Sequence, residues 1–210
     1  MSIQVLLADD HQIVREGLKV LLEREGFDVV AEASNGQQAV QMAEKFHPDV
    51  AVLDLAMPLL NGLDAAREIQ KVSVKTKPII LTMHAENHYI LEALHAGAKG
   101  FVMKTHAAED LVQAIREASR GRTYLSPEVS RTVVQAYQDK VDIRPEPLSP
   151  RERQVLQLIA EGKSTKEVAG LLNISVKTAE THRTRIMEKL SIHETAGLVR
   201  YAVRRGIIQP

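Results

Sequence analysis

The sequence predicts an open, parallel α/β sheet of five strands followed by a second, smaller all-α domain. Three observations carry this reading. Within residues 1–121, five short apolar runs are each followed by a segment of helix length. The last 63 residues hold no strand pattern but several capped helical ones. Charge divides at the same place: residues 1–121 carry 12 Lys+Arg against 17 Asp+Glu, whereas residues 148–210 carry 11 against 6. An acidic block suits metal binding or solubility, and a small basic block suits a polyanion such as nucleic acid.

The five runs are residues 3–8, 28–33, 50–53, 79–82 and 100–103. They are apolar without alternation, as expected of strands buried on both faces by covering helices. Ile13, Val14, Leu18, Leu21 and Leu22 fall at helical spacing after the first run, and Leu111, Val112 and Ile115 do so after the last. Asn35-Gly36, Asn61-Gly62 and Ala96-Gly97 punctuate the loops. From Gly121 the pattern changes. Ser126-Pro127 offers a helix start, and Val129, Val133, Val134 and Tyr137 give a partly apolar helix. Residues 139–147, with Pro145 and Pro147, read as an exposed linker. The domains expected are therefore 1–121, a linker with a short helix over 122–147, and 148–210.

In the last part, Ser149-Pro150-Arg151-Glu152 and Ser164-Thr165-Lys166-Glu167 both match the capping box, in which Ser and Glu satisfy reciprocal orphan amides. Gly162 stands where a C-cap glycine belongs, Ser175 can cap a helix over 176–190, and residues 194–205 form a fourth helix. The interval Asn173 to Ser175 is the tight turn that a helix-turn-helix requires.

With no cysteine in 210 residues, disulfides, thiolate metal sites and a cysteine nucleophile are excluded. Residues 1–8 run straight into a strand without a basic flank or a cleavage site, and no apolar run reaches spanning length, so a cytoplasmic protein without membrane contact is expected.

Ligands of open parallel sheets collect beyond the carboxyl ends of the strands. Asp9 and Asp10 end the first strand, Asp54 the third and Thr82 the fourth, and Lys104 follows the fifth. Three converging carboxylates repel unless a hard cation joins them, and Mg2+ is the physiological fit. An aspartate can also attack phosphorus and hold the phosphoryl group as an acyl phosphate. Mg2+ and the Lys104 ammonium would neutralise the incoming oxygens, and the Thr82 hydroxyl would donate to one. Asp54 is the best nucleophile, because the adjacent acids Asp9 and Asp10 are better placed to hold metal.

In the basic part, the helix 176–190 has an apolar stripe of Ala179, His182, Ile186 and Leu190, and an opposite face of Lys177, Glu180, Thr181, Thr184 and Arg185, with Arg183 near its edge. Such a face fits a major groove. Lys and Arg would hold phosphates, Glu180 would accept from cytosine N4, and Thr181 or Thr184 would touch thymine methyls. His182 reads as a packed histidine or a phosphate contact rather than a metal ligand.

These motifs resemble known families. Asp9-Asp10, residues 53–58 (Leu-Asp-Leu-Ala-Met-Pro) with Asn61-Gly62, Thr82, and residues 100–104 (Gly-Phe-Val-Met-Lys) resemble the receiver domain of two-component response regulators. Residues 148–152, 162–169 and 175–183 resemble the LuxR-type helix-turn-helix domain, and the whole chain resembles the NarL/FixJ class. The resemblance implies a flavodoxin-like, doubly wound receiver and phosphotransfer from a sensor histidine kinase to Asp54. It implies metal binding by Asp10, Asp54 and the Ala56 carbonyl with Asp9 assisting, and a switch pair of Thr82 and Phe101. It further implies promoter DNA binding as a dimer, with Lys163, Lys166 and Thr178 joining the DNA-contacting set, Ala196, Val199 and Val203 in the dimer contact, and RNA polymerase as a partner. Thr105 stands where many receivers have Pro, and Ala179 is smaller than the common Val. An aspartate-nucleophile phosphohydrolase would need a second carboxylate at position 56, which is Ala. A non-enzymatic regulator is expected, in preference to a phosphorylation-independent DNA-binding protein.

Overall fold

A computed structural model of the chain describes residues 2–83, 87–138 and 147–208, the side chains at 87–89, 91, 107, 132 and 136–138 excepted. It divides into two compact units, Met1–Asp142 and Ile143–Pro210. The Tyr137 side chain and most of the expected linker lie outside the described residues.

The first unit alternates strand and helix as the apolar runs require. Its elements are β1 (Gln4–Ala8), α1 (Gln12–Arg24), β2 (Asp28–Ala33), α2 (Gly36–Phe46), β3 (Val50–Asp54), α3 (Gly62–Val72), β4 (Lys77–Thr82), α4 (Asn87–His95), β5 (Gly100–Met103), a 3-10 turn (Lys104–His106), α5 (Ala107–Ser119), β6 (Tyr124–Leu125) and α6 (Pro127–Gln138). The strands are parallel in the order β2-β1-β3-β4-β5-β6. Successive strand residues feed opposite faces. Leu6, Ala51, Leu53 and Ile80 enter the core roofed by α2, α3 and α4, while Val5, Val50, Val52, Ile79 and Leu81 enter the one roofed by α1 and α5. Each fully buried Leu or Ile contributes roughly 1.5–3 kcal/mol, which is why the runs tolerate no polar interruption.

The structure adds to the sequence reading at three points. The sheet has a sixth strand beyond the expected five, because the two residues of β6 pair with β5, Tyr124 N donating to Lys99 O at 2.9 Å and Tyr124 Oη to Asp110 Oδ1 at 2.7 Å. A strand of two residues has no periodicity to read. The helix expected inside the linker is α6, and it packs on α4 with Val129 wholly buried in the α2–α4 core, so residues 122–138 belong to the first unit. Ile13, grouped above with the core stripe of α1, is 86% exposed, since the buried arc is centred on Leu18 and Leu22.

The second unit contains α7 (Pro150–Ala160), α8 (Thr165–Leu171), α9 (Val176–Leu190) and α10 (Thr195–Arg204). Both capping boxes form, and Ser175 Oγ accepts from Thr178 N at 3.0 Å. Gly162 (φ +83°) closes α7, and Asn173 (φ +51°) makes the turn into α9. The core is Val155, Leu156, Leu158, Ile159, Val168, Ala169, Ala179, Ile186, Leu198 and Ala202. Glu152 does double duty, accepting from Ser149 N and from Lys189 Nζ, each at 2.7 Å, which ties α7 to the last turn of α9. Burial would raise its carboxyl, but the Lys189 ammonium and the Ser149 donors hold it below the usual range. Among the described residues no helix is long and apolar enough to cross a membrane.

Candidate functional site

The strand order reverses between β1 and β3, and the acids meet beyond that point. Asp54 is the last residue of β3, opposite Leu81 of β4, and Asp9 follows β1. Asp9 is 0% and Asp54 2% exposed, with Asp10 at the open rim. Lys104, directly after β5, places Nζ 2.7 Å from Asp9 Oδ2 and 3.0 Å from Asp54 Oδ1. Thr82, buried at the tip of β4, lies in register with Met103. Phe101 is buried in β5 between Ile80 of β4 and Leu125 of β6.

The loop after Asp54, which holds Ala56 half-buried, is pinned at both ends. Leu55 N donates to Leu81 O at 2.9 Å, and Gly62 N donates to Leu55 O at 2.8 Å. Gly62 abuts the Asp54 carbonyl so closely that a Cβ would overlap it, and Gly36 at the start of α2 abuts the Leu60 carbonyl in the same way. Asn61 caps α3 by accepting from Asp64 N at 2.9 Å.

Burial pushes the Asp54 carboxyl from 3.8 up to about 6; Lys104 opposes the rise, and Asp9 and Asp10 add to it. Burial likewise lowers Lys104, but the carboxylates of Asp54 and Asp9 more than reverse this, so the ammonium persists above its ordinary range. The sign for stability follows. Protonated Asp54 is the comfortable form in the folded chain, so stability is greatest below pH 3.8 as far as this group is concerned and is lost as pH rises through about 6. The lost contribution is on the order of 3 kcal/mol. Without added metal, Asp54→Asn is therefore expected to melt higher than the parent at pH 7.5, with the difference shrinking towards pH 4. Equal melting points at pH 7.5 would show that the buried charge is not under strain.

Four side chains, Asp9, Asp10, His11 and Asp54, bring one ligand atom each within 4.8 Å of one another. Asp54 Oδ2 is buried and meets no hydrogen-bond donor among the described residues. Hard oxygen donors crowded in one crevice, one of them without a partner, fit a divalent cation. Sequence reasoning passed over His11, whose Nδ1 lies 2.9 Å from Asp10 Oδ1 and 3.5 Å from Asp9 Oδ1 and whose amide donates to Asp9 Oδ1 at 2.8 Å. The signal was the run Asp-Asp-His. Gly36 and Gly62, read from the sequence as loop punctuation, are each the first residue of a helix, and their close contact with a distant carbonyl was not legible there.

In the second unit, α9 buries Ala179 and Ile186 and presents Lys177, Thr178, Glu180, Thr181, Thr184 and Arg185 as exposed residues. Arg183, half-buried, donates from Nη2 to Thr195 Oγ1 at 2.8 Å, which fixes it beside the start of α10. His182 is half-buried, with Nδ1 inaccessible and unmatched by any described donor or acceptor. Thr181 Oγ1 donates to Lys177 O at 2.9 Å and Thr184 Oγ1 to Glu180 O at 3.1 Å. Lys163 and Lys166 flank the start of α8; of the expected dimer residues, Ala196 is exposed and Val199 and Val203 are half-buried on α10.

Residues 5–116 match the family model for the response regulator receiver domain, and residues 146–202 match the one for bacterial regulatory proteins of the luxR family. The chain is 37% identical over 216 residues to the oxygen regulatory protein NreC of Staphylococcus epidermidis, covering 98% of this chain and 99% of that one. It is 36% identical over 208 residues to the response regulator UvrY of Escherichia coli, covering 98% and 95%. It is also similar to a solved structure of RcsB from Salmonella enterica serovar Typhimurium bound to promoter rprA in the presence of a phosphomimetic. The TM-score is 0.66 at 29% identity, covering 96% of this chain and 98% of that one.

Proposed function

Because the chain belongs to the two-component response regulators of the NarL/FixJ class, with a receiver domain and a LuxR-type DNA-binding domain, we propose that Asp54 is its phosphoacceptor and that the phosphoryl group governs promoter binding. The observation that carries this is the buried Asp54 carboxylate, one oxygen meeting no donor among the described residues and the other 3.0 Å from the Lys104 ammonium.

An oxygen of Asp54 forms a bond to phosphorus as the P–N bond of a kinase phosphohistidine breaks and the imidazole nitrogen leaves with the electron pair. Lys104, shared between Asp9 and Asp54 at rest, turns to the incoming phosphoryl oxygens. The Thr82 hydroxyl donates to one of them, and Phe101, which pairs in β5 with Ile80 two residues before Thr82, adjusts to the movement of Thr82. Asp9, Asp10, Asp54 and the Ala56 carbonyl would hold Mg2+, which when bound supplies charge neutralisation for the attack. With Ala at position 56 there is no carboxylate to protonate an ester leaving group, so turnover of phosphoesters is not expected. In the second unit α9 enters the major groove, α10 pairs two protomers through Ala196, Val199 and Val203, and RNA polymerase is the downstream partner. RcsB, a relative of similar architecture, has been solved on a promoter with a phosphomimetic present.

Incubation with acetyl phosphate and Mg2+, followed by peptide mapping, is expected to find a phosphoryl mass on the peptide containing Asp54 and only when Mg2+ is present. A phosphoryl mass on another peptide, or none, rejects the assignment. For the DNA face, Arg183→Ala is expected to weaken binding to all sequences alike and to lower the salt slope by about 1. An unchanged slope would remove Arg183 from the phosphate contacts.

A further inference from the structure

The middle of the α9 reading face is short of hydrogen-bond donors. Residues 177, 180, 181 and 184 recur at the spacing of one helix face, opposite the buried Ala179 and Ile186, and all four are exposed. Lys177 brings an ammonium to the first of these positions, near the start of the helix. Between it and the Arg185 guanidinium, also exposed on this face, the chemistry changes. An ionised Glu180 has only acceptor oxygens, and a threonine hydroxyl has one hydrogen to give. In both threonines that hydrogen is committed to the helix itself, Thr181 to the Lys177 carbonyl at 2.9 Å and Thr184 to the Glu180 carbonyl at 3.1 Å. The branch of each threonine left unengaged by its own backbone is the methyl group.

Guanine shows the major groove two acceptors, N7 and O6, and needs donors to be read; thymine shows a methyl group; cytosine and adenine show amino donors. A surface made of Glu180, Thr181 and Thr184 has nothing to offer guanine N7 and O6. We propose that Thr181 and Thr184 read thymine through methyl-to-methyl contact, with Glu180 accepting an amino group beside them, so that guanine-reading in each half-site is left to Lys177 and Arg185 at the two ends of the face. This rests on the DNA-binding reading above and adds the base class that the face selects.

The test uses the full chain, Mg2+ and acetyl phosphate, and a random-sequence duplex pool from which bound DNA is selected. Each thymine of the selected half-site is then replaced singly by deoxyuridine, which lacks only the methyl group. One or two positions are expected to weaken binding about fourfold, as removal of one buried methyl group requires. Thr181→Ser or Thr184→Ser, which keeps the hydroxyl and loses the methyl, abolishes the deoxyuridine penalty at its own position. Thr181→Val or Thr184→Val, which keeps the methyl and loses the hydroxyl, retains it. If no thymine position responds, or if the penalty survives in both serine variants, the methyl contact is wrong while sequence-specific binding stands. If the pool yields no enriched sequence, the DNA-binding reading itself fails.

Discussion

Asp54→Ala is expected to abolish the response of DNA binding to a phosphodonor while leaving unphosphorylated binding in place. In the parent, incubation with acetyl phosphate and Mg2+ should tighten binding to a selected duplex by about 5–150-fold, the range of ordinary coupling between two sites. The expectation follows from where the charge goes. Asp54 lies at the tip of a fully buried strand, paired at Leu81 to the strand that ends in Thr82 and joined by Lys104 to the end of β5. A phosphoryl group added there brings negative charge and acceptor oxygens into a site whose ammonium is already divided between two acids, so Lys104 must rearrange, and Thr82 at the tip of the neighbouring strand is expected to follow. An alanine receives nothing and rearranges nothing. Fluorescence anisotropy with and without phosphodonor measures the ratio directly. A variant that responds like the parent would show that the stimulus enters elsewhere.

Gly62→Ala should be nearly as damaging, although it removes no functional group. The added Cβ would overlap the Asp54 carbonyl oxygen and crowd Leu55 Cα, both of them backbone and unable to swing aside. The first turn of α3 cannot simply retreat, because Gly62 N is bonded to Leu55 O and Asn61 caps the helix through Asp64 N. Overpacking against fixed backbone costs up to about 3 kcal/mol. For a chain of this size that is a fall of roughly 6–12 °C in melting temperature. Displacement of the Asp54 loop by even a fraction of an ångström should also slow phosphorylation, on the order of 100-fold if the carboxylate moves by 1 Å. Thermal unfolding and the rate of acetyl phosphate labelling read the two effects separately. Unaltered melting and labelling would mean that the loop has slack that the close approach does not suggest.

The parts legible in the sequence were those with a period or a cap. Buried parallel strands read as continuous apolar runs, and Ser149 and Ser164 announced their helices through the Glu residues three positions on. The strand-end acids were legible because a fold of this class has only one place to put them. Other features depend on three-dimensional closeness that no local pattern records. Gly36 and Gly62 are small because carbonyls of distant residues press on them. His11 matters through its distance to two acids rather than through its helix, for which it is an N-cap residue without a side-chain bond. Ile13 satisfied a periodicity yet stands in solvent, since spacing places residues on an arc without saying where the arc ends. The backward hydrogen bonds of Thr181 and Thr184 are rotamer choices, open to any threonine on a helix until the surroundings are known.

The attachment of β6 and α6 to the sheet sets where this receiver can be cut. A fragment ended at Gly121 would leave the β5 edge without the partner that pairs Gly100 and Phe101, and would strip the Val129 side chain from the α2–α4 core. A bare strand edge of this kind invites pairing between molecules. Chimeras that exchange output domains among relatives should therefore join beyond Gln138, keeping the last strand and helix with the phosphate-accepting half.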